Sequence, residues 1–286
     1  MIVAILTVFT LLAFAANSLI CRMALGGNMI DPLSFTTVRL FSGALVLIPV
    51  SRFFSEPEAP NAAGSWKSAL ALFTYAMAFS LAYVSLNTGV GALLLFGAVQ
   101  ITMILLSILS GNRLHITEWL GVAIAFAGFV YLVLPGLSTP SLAGFVLMTV
   151  AGIAWGVYTL RGRASTSPLA DTCYNFLRTV PVVLVLALVT VRNAHYSVDG
   201  IVLSVLSGAV ASGMGYTIWY IALGGLTATQ AAVVQLSVPV IAALGGVVFV
   251  SEAITLRLVM SASMILGGIA IVIWGRNYVA KPESKP

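Results

Sequence analysis

Residues Thr227–Glu252 read TATQAAVVQLSVPVIAALGGVVFVSE, and their apolar character indicates the class of fold that the chain adopts. From 231 to 250 it carries no charge, and about twenty apolar residues are what a helix needs to cross a bilayer. Three residues near its middle would be penalised by lipid but tolerated against protein or water: Gln235, Ser237 and Pro239. Farther along, Ala242 and Gly246 have the spacing that lets two helices approach closely. The stretch therefore predicts a transmembrane helix, kinked at its proline, in the wall of a transport pathway.

The composition places the whole chain in the membrane. Of its 286 residues, 60% are hydrophobic and 7% are charged, whereas roughly a quarter of the residues in a soluble domain are charged. The net charge of +5 comes from Lys and Arg gathered in a few loops, a distribution that indicates membrane orientation and not nucleic-acid binding. Two cysteines and two loop histidines predict neither a metal site nor a cofactor. We therefore expect an all-α integral membrane protein in contact with the lipid bilayer.

Apolar runs separated by turn and charge signals predict ten transmembrane helices. We place them at residues 2–22, 32–53, 67–86, 89–109, 115–135, 140–161, 168–191, 199–223, 227–250 and 254–275. The first is predicted to remain uncleaved, because Met1–Ala16 lacks the positive n-region of a signal peptide.

The distribution of basic residues predicts the orientation of these helices. With the N-terminus inside, eight Lys and Arg residues fall on the cytoplasmic side and three fall outside. The inner set is Arg52, Lys67, Arg113, Arg161, Arg163, Arg276, Lys281 and Lys285, and the outer set is Arg22, Arg192 and Arg257. By the positive-inside rule, both termini of this multi-pass protein are expected in the cytoplasm.

The chain also repeats at an almost constant offset. Shifts of 137 to 140 residues align these pairs: Arg22 with Arg161, Arg39 with Arg178, Phe79 with Tyr216, Tyr83 with Tyr220, Asn112 with Glu252, and Gly128 with Gly268. Five helices per repeat is an odd number, so the second repeat must enter the membrane inverted, as in many secondary transporters. We expect one repeat at 1–137, its inverted copy at 138–276, and a polar cytoplasmic tail at 277–286. A substrate site would lie near the midplane, where the two halves meet.

Aromatic residues on three helices are candidates for that site. Two stripes occupy corresponding helices, Tyr75, Phe79 and Tyr83 on one and Tyr216, Trp219 and Tyr220 on the other, and a third helix carries Trp155 and Tyr158. Their rings could stack on flat substrates or bind an ammonium group. For Tyr83, Trp219 and Tyr220 the alternative is an interfacial belt at headgroup depth. For the deeper rings the alternative is ordinary helix packing.

Polar residues at membrane depth provide further candidates. The amides of Asn17, Gln100 and Gln235 could bind both ends of a zwitterion or form hydrogen bonds between helices. Arg39 and Arg178 are expected to extend toward the interface, with capture of a substrate carboxylate as the alternative.

Acidic residues are absent from the predicted pathway. All eight lie in loops, at helix ends or in the tail, and the chain has no GxxxxGK[ST] nucleotide-binding loop. Because proton-coupled transporters generally use an ionisable group along the pathway, this pattern favours a facilitator driven by the substrate's own gradient.

Two segments resemble a known family. Residues 237–273, SVPVIAALGGVVFVSEAITLRLVMSASMILGGIAIVI, are similar to the C-terminal half-repeat of the drug/metabolite transporter superfamily, in its ten-helix, EamA-like branch. The resemblance rests on Pro239, Glu252 and Gly267–Gly268, whereas the first half has Val99 and Asn112 at the proline and acid positions. The run GALLLFGAVQITMI at 91–104 resembles bacterial exporters of aromatic and hydrophobic amino acids.

These observations favour a monomeric exporter of amino acids, aromatic or otherwise hydrophobic, that works by alternating access. One alternative is a proton-coupled or exchange transporter of another small metabolite or drug. The other is an intramembrane enzyme, which would need paired catalytic groups at depth. Since both histidines lie in loops, we expect no catalytic residues and no enzymatic activity.

Overall fold

The computed structural model describes residues 2–54, 64–109, 116–133, 140–163, 167–223, 225–226 and 234–279. Within these ranges the chain is helical, and β-structure is limited to one isolated bridge between Ile30 and Tyr196. The α-helices are α1 (Ile2–Gly26), α2 (Pro32–Phe54), α3 (Trp66–Tyr83), α4 (Thr88–Leu109), α5 (Ile116–Val133), α6 (Leu142–Arg163), α7 (Pro168–Thr190), α8 (Val198–Val205), α9 (Gly215–Leu223), α10 (Val238–Val250) and α11 (Leu256–Val279). A 3₁₀ turn, Val191–Asn193, follows α7.

The helices have the length and surface of membrane-spanning elements. Among the described residues, six spans are long and apolar enough to cross a bilayer: Ile2–Gly26, Pro32–Phe54, Thr88–Leu106, Leu142–Gly162, Leu169–Asn193 and Val198–Trp219. Three shorter apolar helices accompany them: Ile116–Leu132, Val238–Val250 and Leu256–Val272. Large apolar side chains also point away from the core, and Leu188 and Val189 are each 76% exposed. Lipid is the solvent that such a surface requires, as expected of an integral membrane protein.

Two predicted helices are interrupted. The helix predicted at 199–223 contains a π-helical segment, Leu206–Met214, between α8 and α9. The predicted continuous helix at 227–250 is wrong in its described part, because a turn at Leu236–Ser237 precedes α10. Pro239 lies at the start of α10, where its missing N–H costs no intrahelical hydrogen bond. The proline therefore begins a helix instead of bending one. Residues 227–233 of the predicted helix lie outside the described residues.

Local hydrogen bonds explain where several helices begin. Asp31 Oδ1 accepts hydrogen bonds from the backbone N–H groups of Leu33 and Ser34, at 3.1 and 2.9 Å. Ser65 and Ser197 cap α3 and α8 in the same way, each accepting from the N–H three residues ahead at 3.1 Å. These side chains satisfy N–H groups that a helix leaves unpaired in its first turn.

The packing places α1 in the centre of the bundle. It contacts α3 and α4 on one side, and α8, the π segment, α9 and α10 on the other. The other extensive contacts join α2 with α7, α3 with α6, α4 with α6, α4 with α10, and α5 with α11. Side chains from α1, α2, α3, α6 and the α8–α9 region are therefore brought together in the core.

Candidate functional site

Trp155 lies within a cluster of aromatic rings that four helices supply. Its ring centroid is 4.7 Å from that of Tyr216 on α9, 4.8 Å from Tyr75 on α3 and 5.5 Å from Tyr158 on α6. Phe14 on α1 packs edge-on at 6.4 Å. These separations fall within the attractive range for aromatic pairs. The structure thus brings together four of the predicted site residues, and all four are buried.

Two more predicted rings extend this cluster along α3. Phe79 lies 5.4 Å from Tyr75 and 4.8 Å from Tyr83, between centroids. The Tyr83 hydroxyl donates to the carbonyl of Thr88 at 3.3 Å, and its side chain is completely buried. Burial among protein atoms disfavours the interfacial-belt alternative for Tyr83, because a belt residue contacts headgroups.

Trp219 and Tyr220 lie on α9. Trp219 is buried, with its ring 5.9 Å from Phe14, so it too belongs to the interior and not to a belt. The side chain of Tyr220 lies outside the described part of the structure.

A chain of polar contacts borders the rings. Ser207 donates to Asn17 Oδ1 at 2.6 Å, and Asn17 Nδ2 is 3.5 Å from the Tyr75 hydroxyl. Arg39 Nη2 donates to the same hydroxyl at 3.1 Å, and Arg39 Nε donates to Ser212 Oγ at 3.3 Å. Ser207 and Ser212 both lie in the π segment, which presents two hydroxyls to the core. Asn17 is therefore bonded between helices and still borders the ring cluster.

Arg39 contradicts the expectation that it extends to the interface. Its side chain is 1% exposed, and its guanidinium carbon lies 5.0 Å from the Phe79 ring centroid and 5.2 Å from that of Tyr75. Arg39 is buried because α2 packs closely on the π segment. At the contact, Gly208 lies so near the Arg39 carbonyl that a Cβ at position 208 would not fit. By contrast, Arg178 is partly exposed and lies over the Trp66 ring near the start of α3.

The two remaining amides are also buried. Gln100 is 3% exposed on α4 and has an interaction partner. Gln235 is 8% exposed, just before the turn that precedes α10. Neither is among the residues that line the cavity enclosed by the aromatic rings.

The rings enclose a cavity of about 10 Å³, which is close to the space that a single water molecule needs. It is lined by Phe14, Asn17, Ser18, Tyr75, Phe79, Leu95, Phe96, Trp155 and Tyr216. Small-molecule sites usually have volumes of about 300–1,000 Å³. The helices are therefore closed around these rings in this structure.

An ion pair joins four helices at one end of the bundle. Arg22 Nε lies 3.2 Å from Glu252 Oε1, and both carboxylate oxygens accept from the backbone N–H of Thr88, at 2.9 and 2.8 Å. Arg22 Nη1 also donates to the carbonyls of Tyr83 and Val84 at 3.3 Å each. We call Arg22, Glu252 and Thr88 the Arg22–Glu252 cluster. The cluster connects the C-terminal ends of α1 and α3 to the start of α4. It also connects them to Glu252, which lies two residues after the end of α10.

Phe14, Ser207 and Ser212 are among the residues of the site that sequence reasoning missed. Phe14 had a usable signal, because it stands three residues before Asn17 and so shares its helix face. The two serines had none, since a π-helical segment changes which residues face the core.

The sequence of α6–α11 matches a known family, and one relative matches nearly the whole chain. Residues 142–274 match the model of the EamA-like transporter family. An uncharacterized protein of Pseudomonas aeruginosa is 49% identical over 269 residues, which cover 94% of this chain and 93% of the relative. The chain belongs to the EamA-like transporter family. This EamA-like protein is accordingly a membrane transporter and not an enzyme.

More distant relatives of this EamA-like transporter are similar along most of its length. A protein of Escherichia coli K12 named "Probable amino-acid metabolite efflux pump" is 23% identical, over 96% of this chain and 95% of the relative. An uncharacterized transporter of Archaeoglobus fulgidus is 28% identical, over 70% of this chain and 72% of the relative. A protein of known crystal structure superposes with a TM-score of 0.60 at 19% identity, over 97% of this chain and 98% of that one, and so has the same fold.

Proposed function

We propose that this transporter exports amino acids, chiefly aromatic and other hydrophobic ones, from the cytoplasm across the bacterial inner membrane. The observation that carries the proposal is the Trp155 ring cluster beside the Asn17–Tyr75–Arg39 polar chain. Rings that suit a flat apolar side chain thus adjoin groups that suit an ionised backbone. The name of the Escherichia coli relative, an amino-acid metabolite efflux pump, supports the same substrate class.

Alternating access between two inverted five-helix repeats is the proposed mechanism. The helix contacts support such a repeat, because they occur in corresponding pairs. In such a repeat, α1 corresponds to α6, α2 to α7, α3 to the α8–α9 region, α4 to α10 and α5 to α11. The contact of α3 with α6 then corresponds to the contact of α1 with the α8–α9 region. The contacts of α4 with α6 and of α1 with α10 correspond in the same way. We retain 1–137 and 138–276 as the two repeats of a monomer, with both termini cytoplasmic.

The driving force is proposed to be the substrate gradient. Every acidic residue lies outside the middle of the predicted spans. In the described helices, Glu118 and Asp171 occupy first turns, and Glu252 follows the end of α10. A proton carried with each substrate would need a titrating group along the pathway.

Transport into proteoliposomes tests substrate and coupling together. Radiolabelled tryptophan or phenylalanine should equilibrate across the membrane, at the same rate with or without an imposed pH gradient. Failure to move either amino acid would refute the substrate class. Accumulation above the equilibrium concentration, abolished by a protonophore, would refute the facilitator mechanism and favour the proton-coupled alternative.

A further inference from the structure

We propose that Arg39 binds the carboxylate of the transported substrate, an inference that rests on the proposed function and extends it to the chemistry of one side chain. Arg39 carries a permanent charge within α2, about 10 Å along the helix axis from its first residue. Its side chain is 1% exposed. A buried charge is costly unless it is paired and hydrogen-bonded, so the bonds that the guanidinium makes decide its role.

The guanidinium is incompletely satisfied in the closed arrangement. Nε and Nη2 donate to two neutral hydroxyls, those of Ser212 and Tyr75. Nη1 is buried and has no hydrogen-bond partner among the described residues. Among the described residues, no carboxylate forms an ion pair with Arg39. The rings of Tyr75 and Phe79 stabilise the cation by cation–π contact, but they offer no acceptor to Nη1.

A carboxylate fits the two terminal nitrogens. Nη1 and Nη2 form the planar fork that binds both oxygens of a carboxylate, and such charge-assisted pairs are about twice as strong as neutral hydrogen bonds. One hydrogen bond, from Nη2 to the Tyr75 hydroxyl, would be displaced. Because the sequence places no acid in the middle of the spans, the anion must come from outside the protein.

Tyr75 connects Arg39 to the cavity. Its ring lines the cavity and lies against Trp155, while its hydroxyl contacts the guanidinium. When the helices separate and Tyr75 moves, Arg39 becomes reachable from the space that the rings enclose. The substrate's ammonium group would remain on the aromatic side. There Asn17 Oδ1 has one acceptor position beyond its bond from Ser207, and ring faces attract a cation.

Four ligands that share a phenyl group distinguish the contribution of the substrate's carboxylate from that of its ammonium group. Phenylalanine carries both groups, 3-phenylpropionate lacks the ammonium, phenylalaninamide lacks the negative charge, and phenethylamine lacks the carboxylate. Binding to the purified full-length protein is measured by thermal shift and by intrinsic tryptophan fluorescence, in a zwitterionic buffer of low ionic strength and again with added chloride. Wild-type protein should bind phenylalanine at least about tenfold more tightly than phenylalaninamide or phenethylamine.

Substitutions then assign the effect to Arg39. In Arg39→Gln the preference for phenylalanine over its amide should fall to about twofold or less, whatever the change in overall stability. Arg39→Lys keeps the charge without the planar fork, so its preference should fall severalfold. The matched control is Arg178→Gln, which removes the corresponding arginine of the other half and should retain the wild-type preference.

The outcomes distinguish this inference from the proposed function. If Arg39→Gln, or a stable Arg39→Lys where the glutamine variant does not fold, keeps the wild-type preference, Arg39 is not the carboxylate site although the amino-acid substrate stands. If 3-phenylpropionate binds with the predicted dependence on Arg39 but phenylalanine does not, the amino-acid function fails and the carboxylate site stands. If no ligand binds wild-type protein, both are overturned. Stabilisation by chloride equal to that by the acids would assign the site to inorganic anions and overturn the inference.

Discussion

Replacing Glu252 with glutamine should loosen the end of the bundle at which α1, α3, α4 and α10 meet. Glutamine has nearly the same shape as glutamate, so the change removes the charge and little volume. It weakens the contact with Arg22 and leaves the Thr88 N–H with a neutral acceptor. If transport alternates between two closed ends, the Arg22–Glu252 cluster stabilises the arrangement in which this end, predicted to face outside, is closed.

The expected magnitude follows from the geometry and exposure of the pair. The side chains of Arg22 and Glu252 are 20% and 10% exposed, so solvent screens them less than a surface pair. Hydrogen bonds to charged groups contribute about 1.5–3 kcal/mol each. We expect the closed arrangement to lose about 2 kcal/mol in Glu252→Gln, a change of about 30-fold in the ratio of closed to open forms.

Cys21 provides a native reporter for this opening. It precedes Arg22 on α1 and has no exposed surface in the closed structure. In a Cys173→Ser background, labelling of Cys21 by a membrane-impermeant thiol reagent is followed by mass spectrometry. The labelling rate should rise about 10- to 100-fold in Glu252→Gln, in proportion to the open population.

Two comparisons make this test specific. Asp199→Asn removes an exposed acid at the start of α8 and should leave Cys21 labelling unchanged. Arg22→Gln should raise labelling as Glu252→Gln does, and the double variant should add little, because the two side chains act as one pair. Unchanged labelling in Glu252→Gln, or fully additive effects in the double variant, would refute the reasoning.

Three further perturbations have expected outcomes. Trp155→Ala should impair proteoliposome transport of tryptophan more than that of threonine, since it removes roughly 200 Å² of ring surface; a normally expressed variant with wild-type tryptophan transport would make the ring structural. Gly208→Ala should lower thermal stability by about 1–3 kcal/mol, because its Cβ would meet the Arg39 carbonyl, whereas Gly267→Ala, with open space around it, should be neutral or stabilising. A stable Gly208→Ala would contradict this close packing. Burial raises the pKa of Asp31, but hydrogen bonds from Ser34, His195 and Leu33 outweigh it and hold that pKa below its usual range. Asp31 therefore stabilises the fold above about pH 4 and loses this effect as pH falls through its lowered pKa; Asp31→Asn should flatten that part of a melting-temperature profile, and an unchanged profile would refute this role.

Helix positions were predictable because the bilayer imposes one simple requirement on the chain. A span must be apolar over about twenty residues, and its ends are marked by charges, glycine or proline. The predicted span at 32–53 is thus one residue from the observed Pro32–Phe54. Pro239 was harder to interpret, because a proline within an apolar run can bend a helix or begin one. Which of the two occurs depends on whether the preceding turn is helical, and the turn at Leu236–Ser237 was not visible in the apolar pattern.

Part of the aromatic cluster was predictable for a related reason. Tyr75, Phe79 and Tyr83 are spaced four residues apart, which fixes them to one helix face before any packing is known. The sequence could not show which other rings that face meets. Trp155 and Tyr216 come from the other half of the chain, and their contacts with Tyr75 depend on the arrangement of α3, α6 and α9.

Arg39 shows why depth in a helix is insufficient to assign a charged side chain. Arg39 and Arg178 stand at similar depths in α2 and α7, and the rule that arginine extends to the interface treats them alike. That rule assumes a flexible side chain with lipid or water beside it. This assumption does not hold for Arg39. Because Gly208 has no side chain, the π segment packs directly on the α2 backbone and covers the guanidinium. The same contact that buries the charge also holds it beside Tyr75, at the edge of the cavity. Burial here therefore keeps a cation beside the residues that line the cavity, without the solvent that would otherwise form hydrogen bonds with it.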